Sequence, residues 1–243
     1  MADALLEAEH LSKSFRGLKA VADVSFSVGQ GEVVALIGPN GAGKTTCFNL
    51  IAGALSPDAG TVRLRGRVLT GLRPDQVCRA GIGRTFQVVK PFAGLTVLDN
   101  VAVGALNVAR HVREARERAR AVLDLLDLGH KAEDPASALT LPDRKRLEVA
   151  RALATAPTLL LLDEVMAGLR PTECDRLVAI LAELNRREGL TILLIEHVMR
   201  AVMRLAGRIV VLHHGEKIAE GAPEDIVRDP AVLDSYLGEE AVL

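Results

Sequence analysis

The sequence predicts an α/β fold in which short buried strands alternate with helices. Three apolar runs carry this prediction: Val33–Ile37, Leu159–Leu162 and Thr191–Ile195. Each is a continuous aliphatic stretch, which is typical of parallel strands that are buried on both faces. The segment Thr45–Leu55 follows the first run with apolar residues at helical spacing, so that part of the chain is expected to form a strand–loop–helix unit.

The segments before and after this unit predict two further layers. At the N-terminus, Leu5–His10 and Val24–Val28 alternate apolar and polar residues, as strands with one solvated face do. Between about residues 98 and 156 the pattern becomes helical, with breaks at Gly129 and at Asp134-Pro135. This stretch is therefore expected to be a helical insert within the α/β domain.

The C-terminal part predicts a hairpin formed by Ile209–His213 and Glu216–Glu220. No linker rich in Pro, Gly or Ser divides the chain. We therefore expect one domain over residues 1–243, with a helical subdomain inserted at roughly 88–156 and a C-terminal hairpin and tail at roughly 208–243.

Composition argues against two classes of partner or location. The net charge is −1 and the chain holds only five Phe and one Tyr, whereas nucleic-acid binders carry a basic excess and often stacking aromatics. No apolar run approaches the length of a membrane span, and the N-terminus does not resemble a signal peptide. Three widely spaced cysteines, Cys47, Cys78 and Cys174, fit a reduced compartment. We expect a cytoplasmic protein that does not bind nucleic acid.

The strongest motif is a complete phosphate-binding loop. Its glycines allow backbone N–H groups to point at phosphate oxygens, and the positive end of the following helix adds to the attraction. Lys44 would reach the β- and γ-phosphates, and the hydroxyl of Thr45 would hold Mg²⁺. An ordinary Gly-rich turn is the alternative, but the pattern arises by chance in only roughly 1% of chains of this length. The predicted nucleotide-binding residues are Gly38, Pro39, Asn40, Gly41, Ala42, Gly43, Lys44, Thr45 and Thr46.

Two carboxylates follow the apolar run Leu159–Leu162. Asp163 would bind Mg²⁺ through water, and Glu164 would act as the general base that polarises the attacking water. The alternative is a buried strand that leaves the core at a polar turn. The phosphate-binding loop upstream favours the functional interpretation, because ligands bind at the carboxyl ends of parallel strands.

The order of these motifs resembles the ATP-binding cassette (ABC) family over essentially the whole chain. It includes Gly38–Thr46, Gln87, Arg151-Ala152-Leu153, Asp163-Glu164 and His197. The resemblance implies a P-loop NTPase core of the RecA-like type, an antiparallel β subdomain and a helical insert subdomain. It also implies ATP and Mg²⁺ as cofactors and ATP hydrolysis coupled to transport as the activity.

The resemblance also assigns three isolated residues to the site. Gln87 matches a glutamine loop that links the nucleotide site to a membrane subunit, and with Thr45 and Asp163 it would belong to the Mg²⁺ site. His197 matches a switch on the γ-phosphate, and Phe15 occupies the place of an aromatic that stacks on adenine. Glu164, His197 and Gln87 are thus the predicted catalytic residues.

A narrower resemblance concerns the ATPases of branched-chain amino-acid importers, in particular the LivG type. The matching segments are Gly81–Gln87, Thr46–Ile51, Val165–Leu169 and Tyr236–Glu239. This implies a second ABC ATPase as partner, in a heterodimer or a homodimer, together with two membrane permeases and, indirectly, a solute-binding protein. The chain would then lie on the inner face of the plasma membrane. Urea, short amides or other amino acids stay open as solutes, as do a soluble non-transport ATPase and a nucleotide-binding regulatory subunit.

One family motif is altered. The signature that contacts the partner's ATP usually reads Leu-Ser-Gly-Gly-Gln, whereas the aligned residues here are Leu139, Thr140, Leu141, Pro142 and Asp143. Pro142 has no N–H to offer a phosphate, and the charge of Asp143 is expected to compete with one. The alternative is that Thr140–Asp143 simply begins a helix, with a cap and an early proline. The loop after Glu164 also carries Arg170 where the family usually has Asp.

An apolar stretch after Gln87 is the predicted docking surface for a permease. It comprises Val88, Val89, Pro91 and Phe92. The alternative is that Phe92 packs into the core of the helical insert.

Overall fold

The computed structural model describes residues 4–87 and 90–240. Its strands in chain order are β1 (Ala4–Phe15), β2 (Leu18–Gly29), β3 (Val33–Ile37), β4 (Ala59–Leu64), β5 (Arg67–Val68), β6 (Ile82–Arg84), β7 (Leu159–Asp163), β8 (Thr191–Ile195), β9 (Arg208–His213) and β10 (Glu216–Gly221). Its helices are α1 (Lys44–Ile51), α2 (Pro74–Ala80), α3 (Val97–Ala105), α4 (Val112–Leu125), α5 (Leu141–Leu153), α6 (Pro171–Glu188), α7 (Met199–Leu205), α8 (Pro223–Ile226) and α9 (Pro230–Glu240). Two short 3₁₀ turns lie at Gly129–Lys131 and Ala136–Ala138.

The central sheet has six strands in the order β10-β9-β3-β8-β7-β6. Its inner pairs are parallel, and β10 joins the edge antiparallel to β9. Every residue of β3, β7 and β8 is buried, as continuous aliphatic runs predict. The three predicted strands and the predicted C-terminal hairpin are thus confirmed, and Asp163 extends β7 by one residue.

A second, antiparallel sheet has the order β2-β1-β4-β5. The predicted N-terminal strands lie within β1 and β2, which are each 12 residues long. The side chains of β3 alternate between two cores, because successive residues of a strand face opposite sides. Val34 and Leu36 pack toward α1 and the antiparallel sheet, whereas Val33, Ala35 and Ile37 pack toward the helices on the other side.

The interval predicted to be helical contains α3, α4 and α5. The predicted breaks at Gly129 and Asp134-Pro135 coincide with, or directly precede, the two 3₁₀ turns. The helix predicted over Thr45–Leu55 is shorter and ends at Ile51. The chain turns there because Gly53 adopts φ +70°, and a Cβ at this position would lie 2.6 Å from the carbonyl oxygen of Leu72.

Within the ranges 4–87 and 90–240, no helix is both long enough and apolar enough to cross a membrane.

Candidate nucleotide-binding site

The phosphate-binding loop connects the end of β3 to the start of α1. Gly38 and Gly43 have φ +147° and +100°, a region that favours glycine. A Cβ at Gly38 would lie 2.0 Å from the carbonyl oxygen of Leu212, and one at Gly43 would lie 2.3 Å from that of Ala20. The loop therefore packs backbone to backbone against β9 and β2, and these two glycines make that close approach possible.

Lys44 lies across this loop. Its ammonium group donates hydrogen bonds to the carbonyl oxygens of Gly38, at 2.6 Å, and Pro39, at 2.7 Å. Thr45 is exposed in the first turn of α1, and that turn carries no acidic residue. The first turn therefore offers the ammonium group of Lys44 and the hydroxyl of Thr45 beside backbone N–H groups, with no acidic side chain in the turn to repel an anion. Such an arrangement attracts phosphate.

Three polar side chains from distant parts of the chain line the same cavity of about 250 Å³ as the loop: Gln87, Glu164 and His197. Nε2 of Gln87 donates to Oε2 of Glu164 at 2.6 Å. Nε2 of His197 lies 2.8 Å from Oε1 of the same carboxylate. The structure thus brings together the three residues that the sequence predicted as catalytic.

The backbone of Glu164 is held in an unusual conformation. Its φ is +49°, which is uncommon for a residue other than glycine and typical of functional turns. The amide of Glu164 donates to the carbonyl of Ile195, and Nζ of Lys145 donates to the carbonyl of Glu164 at 2.9 Å. Lys145 lies on α5 and is only 6% exposed. Contacts from β8 and α5 therefore fix the turn that presents the predicted base.

Asp163 is buried at the end of β7. Oδ2 accepts a hydrogen bond from Nη2 of Arg84 at 3.0 Å, whereas Oδ1 is buried without a partner among the residues that the structure describes. Burial raises the pKa of Asp163, and the neighbouring Arg84 works against that rise. A buried carboxylate oxygen without a partner calls for a ligand. With the exposed hydroxyl of Thr45 and the amide of Gln87, these oxygen donors fit Mg²⁺.

A family model described as ABC transporter matches residues 21–167, which is more than half of the chain. The chain belongs to the ABC transporter family. As an ATP-binding cassette of this family, it hydrolyses ATP. A second family model, described as the branched-chain amino acid ATP-binding cassette transporter, matches residues 216–242.

Two relatives resemble this cassette over almost its whole length. The high-affinity branched-chain amino acid transport ATP-binding protein LivG of Salmonella typhimurium is 42% identical, and the alignment covers 98% of this chain and 100% of the relative. The corresponding protein BraF of Pseudomonas aeruginosa is 40% identical with the same coverage.

Solved ABC cassettes share the fold. The ADP conformation of MJ1267, an ATP-binding cassette of an ABC transporter, superposes with a TM-score of 0.88 at 32% identity, covering 98% of this chain and 100% of that one. A dimeric, post-hydrolysis state of the cassette MJ0796 bound to ADP and Pi gives a TM-score of 0.82 at 26% identity, covering 90% and 98%. The α/β fold with its antiparallel sheet and helical insert is therefore that of an ABC cassette.

Phe15 is the last residue of β1 and pairs with Leu18, the first residue of β2. Its side chain is 43% exposed, and Nζ of Lys13 lies 5.9 Å from the centre of its ring. Phe15 does not line the cavity around the phosphate-binding loop, but Ala20 of the same hairpin does. Stacking of Phe15 on adenine therefore stays a prediction.

The residues of the altered signature begin helix α5. Thr140 stands at the N-cap of α5, but its hydroxyl donates to the carboxylate of Asp143 instead of capping the backbone. Asp143 also pairs with Lys131 and Arg146. Burial alone would raise the pKa of Asp143, but the hydrogen bonds and charges of these partners lower it. Lys131 and Arg146 compensate the charge of Asp143 in this structure, and the expected competition of Asp143 with a phosphate stays a prediction.

Leu141 and Pro142 are the signature residues that were expected to lack the usual contacts with the partner's phosphate. Leu141 is 48% exposed at the start of α5, and the half-buried Pro142 lines a cleft together with Leu169 of the loop after Glu164. The missing N–H of Pro142 is a property of the residue itself. Contact of Thr140, Leu141, Pro142 and Asp143 with a partner's nucleotide stays a prediction.

The sequence alone did not identify Glu196 as part of the site. Glu196 is 1% exposed, and its Oε1 accepts a hydrogen bond from the amide of Met166 at 2.8 Å. Burial raises the pKa of Glu196 to about 7. The sequence offered one signal for Glu196, because it stands between strand β8 and the predicted switch His197. That signal is weak, since an acid after an apolar strand usually marks only a polar turn.

An apolar groove lies between the central sheet and the helical insert, close to Gln87. Its volume is about 320 Å³, and its walls include Val77, Arg84, Phe86, Val103, Glu148 and Arg151. Phe92 lies nearby, 44% exposed, with its ring 4.7 Å from the guanidinium carbon of Arg151. Phe92 is therefore not a core residue of the insert. Pro91 is half-buried, and Val88 and Val89 lie outside the described residues.

Proposed function

We propose that this chain is the ATP-hydrolysing subunit of an importer for branched-chain amino acids. The observation that carries the proposal is the cluster of Gln87, Glu164 and His197 over the phosphate-binding loop. The end-to-end similarity to LivG and BraF, both named as branched-chain amino acid transport ATP-binding proteins, supports the choice of solute.

In this proposal the loop and α1 bind the phosphates of ATP. Lys44 exchanges its two carbonyl partners for the β- and γ-phosphate oxygens, which are stronger acceptors because they are charged. Thr45, Gln87 and Asp163 would hold Mg²⁺, the last through water. When bound, Mg²⁺ neutralises charge on the β- and γ-phosphates.

Glu164 is the proposed general base. Both of its carboxylate oxygens are engaged in this structure, one by Gln87 and the other by His197. Exchange of one of these bonds would open the carboxylate further to the attacking water. His197 is the candidate for that exchange, because its ring would instead bond to a γ-phosphate oxygen. Glu164 would then accept the proton of the attacking water.

We infer that the groove beside Gln87 receives a cytoplasmic helix of a permease. Phe86 forms part of the groove wall and is 57% exposed, and it directly precedes Gln87. A helix bound there would contact Phe86, and the next residue in the chain, Gln87, donates a hydrogen bond to the proposed base Glu164. Binding to permeases would hold the chain at the inner face of the plasma membrane, and a binding protein would deliver the solute on the other side.

The role of Glu164 is tested by Glu164→Gln in the purified complex. ATP binding should persist because the phosphate contacts remain, whereas turnover should fall by about 10²–10⁴-fold, as for loss of a general base. Glu216→Gln, an exposed acid on β10, is the matched control and should keep wild-type turnover. Near-normal hydrolysis by Glu164→Gln would contradict the proposed mechanism.

The solute is tested separately. The complex is reconstituted with two permeases, a second ABC ATPase and a binding protein from the same organism, and ATP turnover is measured. Leucine, isoleucine or valine should stimulate turnover, and urea or short amides should not. Stimulation by urea alone would refute the proposed solute while leaving the transport ATPase assignment intact.

A further inference from the structure

Arg84 connects the two elements that carry the predicted metal-binding residues. It ends strand β6, and its side chain is only 10% exposed. Nη2 donates to Oδ2 of Asp163 at 3.0 Å, and Nη1 donates to Oδ1 of Asn49 at 2.7 Å. Asp163 ends β7, and Asn49 lies on α1, the helix that carries Thr45. One planar guanidinium group therefore fixes the end of β7 relative to α1.

The same side chain forms part of the groove wall. Its guanidinium carbon lies 5.4 Å from the centre of the Phe86 ring, and both residues line the groove. Phe86 is largely exposed there, so a partner in the groove would contact it. Nε of Arg84 is buried and has no hydrogen-bond partner in the described part of the chain. The N–H of Nε is thus a buried donor that is not used by the two bonds that hold Arg84 to Asn49 and Asp163.

Arg84 also controls which oxygen of Asp163 is available. It occupies Oδ2, and Oδ1 stays without a partner among the described residues. Because the guanidinium is planar and its donors form a rigid fork, it cannot tilt without lengthening its bond to Asp163, its bond to Asn49 or both. Any displacement of Arg84 would therefore change how the free oxygen of Asp163 is aimed relative to Thr45.

We propose that Arg84 is a positioning residue that couples occupancy of the groove to the affinity of the site for its divalent cation. The proposal rests on the proposed docking of a permease helix in the groove. A helix packed against Phe86 shifts the ring, and the ring shifts the guanidinium that orients Asp163. Since coupling between two binding events is reciprocal, the bound cation with ATP must alter permease affinity by the same factor.

A simpler role would be charge compensation, in which Arg84 only stabilises the buried carboxylate of Asp163. The two roles differ in what they predict. With compensation alone, replacing Arg84 weakens cation binding by the same factor whether or not permeases are bound. With coupling, the replacement removes the difference between the two states.

The test compares the pair of ATP-binding subunits with the same pair assembled with permeases in nanodiscs. Mn²⁺ replaces Mg²⁺ and is titrated by EPR in the presence of a non-hydrolysable ATP analogue. The second subunit carries an inactivated phosphate-binding loop, so that only this chain's site is counted. The ratio of the two Mn²⁺ dissociation constants is the coupling factor, which we expect to be about fivefold or more in the wild type, within the usual range for coupled sites.

Arg84→Gln should bring the coupling factor to within about twofold of one, because both arms of the fork are lost. Arg84→Lys should do the same while it retains the charge, since one ammonium group cannot span Asn49 and Asp163. Arg79→Gln, an exposed arginine on α2 that pairs with Asp75, is the control and should keep the wild-type factor.

If either Arg84 variant kept the coupling factor of the wild type, the inference would be overturned, whereas the proposed function would stand. A wild-type factor close to one would also overturn it. Failure of the wild-type pair to assemble with the permeases would overturn the proposed function and the inference with it.

Discussion

Glu196 is a buried acid, and its Oε1 accepts a hydrogen bond from the amide of Met166 in the loop after Glu164. Burial raises its pKa from 4.5 to about 7. The folded state therefore binds more protons than the unfolded chain between these two values. The stability that Glu196 contributes is fully present below pH 4.5 and is lost as the pH rises through 7.

This gives a prediction for Glu196→Gln. The free energy of unfolding of the wild type should fall by about 2–3 kcal/mol between pH 5 and pH 8.5 through this group alone, and the amide variant should lack that part of the slope. Urea unfolding at several pH values measures it. Glu188→Gln, an exposed acid at the end of α6, should keep the wild-type slope. Parallel slopes for the wild type and Glu196→Gln would show that Glu196 does not titrate in this range.

The site residues that a sequence pattern can indicate without a fold belong to local motifs. The phosphate-binding loop and Asp163-Glu164 each carry their chemistry within a few positions, so their pattern is visible without a fold. Arg84, Lys145 and Glu196 act through contacts with residues 79, 19 and 30 positions away. No local pattern distinguishes such residues from ordinary surface or core positions, because the partner becomes a neighbour only after folding.

At the scale of elements, the segment from Lys90 to Phe92 is held in place by α3 and α5. The buried side chain of Asn100 bonds to both the amide and the carbonyl of Phe92, and Arg151 donates to the carbonyl of Lys90. These contacts fix the backbone while the Phe92 ring stays partly exposed over Arg151. The segment is therefore built as a surface and not as a part of the core.

Phe92→Asp should weaken assembly with the permeases. Loss of one buried Phe corresponds to about 1.5–3 kcal/mol, so the permease affinity should fall by about 10- to 100-fold. ATP binding by the isolated subunit should be unchanged, since Phe92 does not line the cavity of the phosphate-binding loop. Leu125→Asp, which alters an exposed residue at the end of α4, serves as the control and should assemble normally. Assembly of Phe92→Asp with wild-type affinity would contradict the docking of a permease on this residue.

The long central strands and the hairpin were predictable because their aliphatic runs are continuous. Strand β6 has only three residues, two of which are Ile82 and Gly83, and it offers no periodicity to detect. Its place at the edge of the sheet depends on pairing with β7. The early end of α1 was missed because the apolar spacing continues to Leu55, while the close packing of Gly53 against Leu72 stops the helix.

At the scale of the whole molecule, the altered signature predicts an asymmetric dimer. In this family each ATP is enclosed by the phosphate-binding loop of one cassette and the signature of the other. With Asp143 compensated by Lys131 and Arg146, the remaining deficit is the N–H that Pro142 lacks. One charge-assisted hydrogen bond is worth about 1.5–3 kcal/mol. ATP turnover at the site that combines the partner's phosphate-binding loop with this chain's signature should therefore be lower by a factor of roughly ten or more.

We therefore expect a heterodimer in which the second subunit carries a glycine signature and this chain's site does most of the hydrolysis. Glu164→Gln should cost far more ATPase activity than the equivalent change in the partner. Pro142→Gly should raise turnover at the partner's site, and Pro171→Gly, at the corresponding start of α6, should not. Equal losses from the two acid variants, or full activity of this chain as a homodimer, would show that Pro142 is harmless.

The groove beside Gln87 is lined by residues of both hydrophobic cores. One wall of the groove belongs to the core on the α1 side, through Val77 and Ile82, and the other belongs to the helical side, through Ala152. The groove therefore touches both cores, which lie on opposite faces of the central sheet and share its strands. Because close-packed side chains transmit displacement, we expect a helix bound in the groove to shift side chains on both faces of that sheet at once.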